Sequence, residues 1–171
     1  MLTTHRMNVR NQSTHTGWIV RPARADDLPA VRTLLSSCKL PVEGVEDQFG
    51  ERYVVAEHGD AVVGVAGIEL HGAHGLLRSV AVAPESRLSG VGTALVLDRL
   101  QWAETEVQSL YLLTSDAARY FHRHGFRAVA RDAAPLEIQR SREFSEMCPS
   151  SATLMRFERE SEDARADASR S

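Results

Sequence analysis

Hydrophobic and polar positions along this chain alternate in two rhythms. Leu76–Val82 (LLRSVAV) is too apolar and too β-branched for a loop in water, and it predicts a strand that Pro84 stops. Beyond a short loop, Leu95, Val96, Leu97, Leu100 and Trp102 recur at helical spacing, with Asp98, Arg99, Gln101 and Glu104 largely between them. A second apolar run, Leu110–Thr114, follows soon after. Strand, loop, helix and strand make a βαβ unit whose strands run parallel through a right-handed crossover.

The same rhythms organise the rest of the chain. Residues 1–16 are polar and aperiodic and read as a disordered leader. Residues 17–157 read as one domain. Gly17–Arg21 is a first strand, and Asp26-Asp27-Leu28-Pro29 starts a helix with Leu28, Val31, Leu34 and Leu35 on its apolar face. Two strands, near Arg52–Glu57 and Ala61–Leu70, are joined by His58-Gly59-Asp60, and a turn closing symmetrically about Ala73 leads into the Leu76 strand. A strand near Val129, a helix from about Pro135 to Met147 and a strand over Ser151–Phe157 complete the domain. Residues 158–171 are charged, small and aperiodic, a disordered tail. The order β-α-β-β-β-α-β-α-β-α-β predicts an α/β fold with a mixed sheet.

Composition narrows the function. With 20 Lys plus Arg against 23 Asp plus Glu and no basic run, nucleic acid is not the expected partner. No apolar stretch reaches membrane-spanning length, so no membrane partner is expected, and the chain reads as cytoplasmic. Cys38 and Cys148 are too few and too far apart for a disulfide framework or a zinc site, so no metal is expected.

The candidate chemistry begins at Arg87-Leu88-Ser89-Gly90-Val91-Gly92-Thr93. Gly90 and Gly92 let a ligand approach the backbone closely where a helix begins, so unpaired N–H groups at the positive end of its dipole form an anion site. Thr93 can add a hydroxyl and Arg87 a charge. No GK[ST] follows, which excludes a P-loop, and Leu95 stands where a dinucleotide fingerprint needs its third glycine. Glu69 and Arg78 are the polar insertions in otherwise apolar strands. A hairpin closed about Ala73 brings them nearly opposite on one face, either as a cross-strand ion pair at a wet edge or as a reader of a zwitterion. In the second reading Arg78 takes a carboxylate while Glu69 holds the amine or drains its proton.

The glycine loop resembles the RxxGxG acyl-CoA signature of the GCN5-related N-acetyltransferases (GNAT). Residues 114–126 resemble that family's later NxxAxxLYxxxGF motif, agreeing at Ala117, Gly125 and Phe126 and departing at Thr114, Tyr120 and Phe121. The resemblance implies a GNAT-type acyl-CoA N-acyltransferase fold with acetyl-CoA as co-substrate and no metal. It implies cofactor contacts at Val80, Ala81, Val82, Arg87, Leu88, Ser89, Gly90, Val91, Gly92, Thr93, Thr114 and Phe121, with the main chain of Val80 near the thioester oxygen. In the zwitterion reading Glu69 is the catalytic candidate together with Val80, and Arg78, Ser79 and Tyr120 are the candidates for the acceptor pocket, Tyr120 as pocket wall. Many members carry a tyrosine at the position of Phe121, thought to protonate the departing thiolate; phenylalanine cannot. His122 and His124 read as solvated helix histidines.

The stretches LLRSVAVAP, LYLLTSDAARYFHRHGF and APLEIQRSREFSEMCPSSATLM resemble a narrower branch: N-acetylglutamate-synthase-like enzymes and N-acetyltransferases of arsenic-resistance operons. That implies a small amino-acid-like amine acceptor. A protein or peptide acetyltransferase and a CoA-binding module without activity are the alternatives. The sequence does not fix an oligomeric state; a homodimer is compatible with it.

Overall fold

A computed structural model describes residues 17–159. Its strands are β1 (Trp18–Pro22), β2 (Tyr53–His58), β3 (Ala61–His71), β4 (His74–Val82), β5 (Ser109–Thr114), β6 (Phe126–Ala128) and β7 (Thr153–Phe157). The α-helices are α1 (Leu28–Ser37), α2 (Val91–Glu106), α3 (Ala118–His122) and α4 (Leu136–Gln139). The seven strands form one sheet in the order β1-β2-β3-β4-β5-β7-β6. Neighbours are antiparallel except β4 and β5, which run parallel as the crossover through α2 requires. The mixed α/β architecture is the one expected.

Alternation along the central strands sends successive side chains to opposite faces. Leu77 and Leu112 join Val96, Leu100 and Ala103 of α2 on one face. Their neighbours Leu76 and Tyr111 pack with Ala134, Ile138 of α4 and Leu154 on the other. Gly64 lets α2 come close, because a Cβ there would sit 2.8 Å from Leu95 Cδ1 and 2.9 Å from Val91 Cγ1. Val31, Leu34 and Leu35 of α1 are buried with Val55, Val65 and Ala81.

The structure corrects several details. The β3–β4 turn centres between Gly72 and Ala73, with His71 opposite His74, so Arg78 pairs with Gly67 and Glu69 with Leu76. β6 ends at Ala128, before Val129. The helix expected from Pro135 to Met147 breaks after Gln139 and resumes as a π-helical turn over Glu143–Met147. On α2, Leu97 is exposed and Arg99 is buried: its guanidinium donates to the Glu51 carbonyl at 3.2 Å and pairs with Asp98 at 2.7 Å. Both expected terminal segments lie outside the described residues, except Glu158 and Arg159. Arg159 donates to the Ala103 carbonyl near the end of α2 at 3.0 Å.

Candidate active site

Two irregularities in β4 create the site. Ser79 has a φ of 57°, a left-handed conformation costly for a residue with a Cβ. At that point the ladder slips: Val65 pairs with Ala81 and Gly67 with Arg78, leaving Ser79 and Val80 together opposite Ala66. This bulge bends β4 and takes main-chain groups out of regular pairing. Pairing with β5 stops at Leu77–Leu112, although β5 runs on to Thr114 and β4 to Val82. The strands therefore part just past Arg78, and the main chain of Val80 lies in the gap.

The glycine loop stands at the far end of that gap. Leu88 (φ 62°) and Gly90 (φ 86°) are both left-handed, and they turn the chain sharply into α2. No side chain caps the helix, so its first N–H groups face outward. Leu88, Ser89 and Gly90 are exposed, whereas Val91 anchors the first turn in the core. A Cβ on Gly92 would come 2.8 Å from Tyr120 Oη, so glycine keeps this turn bare of side chain. Arg87 folds back, donating from Nε to the Val82 carbonyl at 3.1 Å. An anion site at a helix start, followed by parted parallel strands, fits the phosphates and the extended arm of acetyl-CoA.

On the face of β4 away from α2, four elements converge on Arg78. Its Nη1 donates to Glu69 Oε2 on β3 at 2.7 Å, and its Nη2 donates to the Glu43 carbonyl in the loop after α1 at 2.9 Å. Nε lies 3.0 Å from Glu143 Oε2 on the π-helical turn, a charge contact without hydrogen-bond alignment. The ring of Tyr53 on β2 covers Gly67, where a Cβ would stand 2.2 Å from Tyr53 Cε1. The Arg78 side chain is 1% exposed, so the pair with Glu69 is interior rather than at a wet edge. Tyr53 Oη, Ser79 Oγ and His71 Nε2 are also buried without an aligned hydrogen-bond partner. These polar atoms gathered around one guanidinium set the cluster apart from the apolar core around it and make it a candidate site.

The titrations within it diverge. Burial pushes the Glu143 carboxyl up to about 7, with Arg78 pulling down and Glu69 pushing further up. Burial also acts upward on Glu69, but the His71 imidazole and the Arg78 guanidinium beside it outweigh that, and Glu69 is held below its ordinary range. His71 Nε2 lies 3.0 Å from Glu69 Oε1. Burial pushes the Tyr53 hydroxyl up to about 12. Sequence reasoning missed Glu143, Tyr53 and Gly67. A glycine inside a strand marks close backbone approach, and Gly67 carried that signal.

The remaining candidates lie elsewhere. Tyr120 points its hydroxyl at Gly92, on the cofactor side, and burial raises its pKa. Phe121 is buried beside Phe126, their rings 5.9 Å apart. Thr114 Oγ1 accepts from the Ala117 N–H at 3.0 Å, fixing the turn that leads into α3. His122 is exposed as expected, whereas His124 is half-buried rather than solvated, its ring edge-on to Tyr120 at 4.8 Å. Cys38 Sγ touches the Val82 carbonyl at 3.8 Å, and Cys148 is half-buried. Among the described residues no helix is long and apolar enough to cross a membrane, and no group of three metal-ligating side chains is present.

Comparison with known proteins identifies the family. The model of the acetyltransferase (GNAT) domain matches residues 49–128. An amino-acid acetyltransferase of Mycobacterium tuberculosis (strain ATCC 25618 / H37Rv) is 32% identical over 142 residues, covering 77% of this chain and 78% of that protein. The chain belongs to the GNAT acetyltransferase family and is an acetyl-CoA-dependent N-acetyltransferase. Among solved structures, Rv2747 from Mycobacterium tuberculosis in complex with CoA and NLQ superposes with a TM-score of 0.68 at 26% identity, over 81% of this chain and 98% of that one. N-acetylglutamate synthase from Neisseria gonorrhoeae, complexed with CoA and L-arginine, shares the fold with a TM-score of 0.69 at 17% identity. This chain covers 34% of that synthase's length, and the match spans 86% of this chain.

Proposed function

We propose that the protein acetylates the amine of a small amino-acid-like acceptor, arsenical amino acids included, and that Arg78 reads the acceptor's carboxylate. The observation that carries this is a buried guanidinium on β4 immediately before the bulge where the strands part. A charge in a sheet interior costs several kcal/mol unless anions meet it. Glu69 and Glu143 meet it in the free protein, and the acceptor's carboxylate would take a place among them. The position of Arg78 puts a carboxylate anchor two residues from the main chain of Val80. The 32%-identical relative's description as an amino-acid acetyltransferase supports the same class.

Acetyl-CoA supplies the activated acetyl group. The N–H groups at the start of α2 hold its phosphates, with Gly92 keeping the approach open. A main-chain N–H at Val80 stabilises negative charge developing on the thioester oxygen. Glu69 stays ionised at neutral pH, which suits it to hold the acceptor's ammonium and pass its proton on to water. A carboxylate this acidic is a weak base itself.

The test is turnover of acetyl-CoA with free amino acids, an amino-acid organoarsenical and the matching amino-acid amides. Amino acids should be used at least tenfold better than their amides. Equal use of acids and amides overturns the reading.

A further inference from the structure

Arg78 is a guanidinium with a divided edge. Nε–H and Nη2–H lie side by side and suit the two oxygens of one carboxylate. Here that edge is split between one oxygen of Glu143 at 3.0 Å and the main-chain carbonyl of Glu43 at 2.9 Å. Glu69 holds the other side, at Nη1. The two carboxylates are not equivalent. Glu69 makes an aligned hydrogen bond and has His71 as a second partner, whereas Glu143 Oε2 makes only the unaligned contact. Glu143 also sits on a π-helical turn, a wound segment frequent at functional sites, and not on the sheet.

We propose that Glu143 is a built-in stand-in for the acceptor's carboxylate: it holds the Nε edge of Arg78 until an acceptor arrives, and it must take a proton and leave for the acceptor to bind. This rests on the reading of Arg78 as the acceptor anchor. Three carboxylates on one buried guanidinium are electrostatically untenable, so the acceptor's charge replaces that of Glu143. The proton comes from solvent and ends on the Glu143 carboxyl; no other bond changes. The groups facing Glu143 set the balance: Arg78 from β4, Glu69 and His71 from β3, and Tyr53 from β2. Cys148 and Arg131 lie beyond it. Burial already brings the Glu143 carboxyl to about 7, so neutralising it costs little at neutral pH.

The test compares the parent with Glu143→Gln, which stays neutral at every pH, using the best amino acid of the panel above at saturating acetyl-CoA. The ratio of acceptor KM, parent over variant, cancels the titration of the acceptor's own amine. It should be near one at pH 6 and rise about tenfold per pH unit above pH 7. Calorimetry of acceptor binding at pH 8, in buffers of different ionisation enthalpy, should show about one proton taken up by the parent and none by the variant. Glu143→Ala should behave like Glu143→Gln, which separates lost charge from a new amide contact. A KM ratio that stays flat with pH, or equal proton uptake in both proteins, overturns the stand-in. Equal use of amino acids and amides by the parent instead overturns the anchor reading, and the stand-in with it.

Discussion

Glu69 and Arg78 stand two residues out of register on neighbouring strands, yet Arg78 Nη1 donates to Glu69 Oε2 at 2.7 Å. The bond runs diagonally because the residue directly opposite Arg78 is Gly67, which offers no side chain. The space above Gly67 belongs instead to the ring of Tyr53, which closes the cluster from the β2 side. One glycine thus sets both the reach of the ion pair and the position of the tyrosine.

Gly67→Ala should therefore disturb the site without touching a charge. A methyl 2.2 Å from Tyr53 Cε1 forces the ring away or shifts β3. Overpacking of this kind costs about 1–3 kcal/mol, which urea denaturation will measure. Gly64→Ala meets buried Leu95 and Val91 of α2 instead, away from the Arg78 cluster, and should leave acceptor use closer to the parent's at equal stability loss. Full stability in Gly67→Ala contradicts the packing described.

Glu143 should also show itself in the pH dependence of folding. Its carboxyl is raised from an ordinary 4.5 to about 7 in the folded protein, chiefly by burial. Between those values the folded state binds a proton that the unfolded state does not, so this group's contribution is full below about pH 4.5 and fades as pH rises through 7. Glu143→Gln removes that loss. Relative to the parent it should gain stability from pH 5 to pH 8, by up to roughly 3 kcal/mol. Parallel stability curves across that range contradict the raised carboxyl.

The cofactor loop makes a separate prediction. Gly92→Val drives a side chain toward Tyr120 Oη and over the bare helix start, and Gly90→Val strains a φ of 86°. Each should weaken acetyl-CoA binding at least about 100-fold, or ~2.7 kcal/mol, read by calorimetry with the fold checked by circular dichroism. Unchanged affinity in a folded variant removes this loop from the cofactor site.

Tyr120 tests the departure at Phe121. Its hydroxyl is buried against Gly92, and burial keeps it protonated. We expect Tyr120→Phe to retain turnover, losing less than the ~10²–10⁴-fold that follows removal of a committed acid or base. A loss within that range at unchanged acetyl-CoA affinity assigns Tyr120 the proton that Phe121 cannot supply.

The fold was legible in the sequence because each element carries its own period. The run LLRSVAV and the spacing of Leu95, Val96 and Leu100 needed no tertiary context, nor did the glycines of the anion loop. Glu69 and Arg78 were legible as misfits, since a charge inside an apolar strand demands a partner. The bulge was not: Ser79 has no sequence signature for a left-handed φ, and the slip opposite Ala66 exists only once β3 and β4 pair. Glu143 was hidden for a different reason. In a helical reading of Pro135–Met147 it is one polar residue among several. Only the break after Gln139 turns it inward to Arg78.

Arg78 carries the last prediction, and its environment decides which variant can test it. Arg78→Ala leaves Glu69 and Glu143 buried together without their cation, and breaking such a cluster costs about 3–5 kcal/mol. Lost activity in that variant does not separate binding from folding. Arg78→Lys keeps the charge between the two carboxylates but replaces a planar fork with a point charge, which cannot meet both oxygens of an acceptor carboxylate. The double variant Arg78→Met, Glu143→Gln removes the cation and one carboxylate together. In Arg78→Lys the acceptor KM should rise about 10- to 100-fold, ~1.4–2.7 kcal/mol, while the affinity for acetyl-CoA stays within about twofold. The double variant, if folded, should use amino acids no better than their amides. Parent-like acceptor KM in Arg78→Lys, or a persistent preference for the free acid in the double variant, makes Arg78 a structural partner of Glu69 and moves the carboxylate anchor elsewhere.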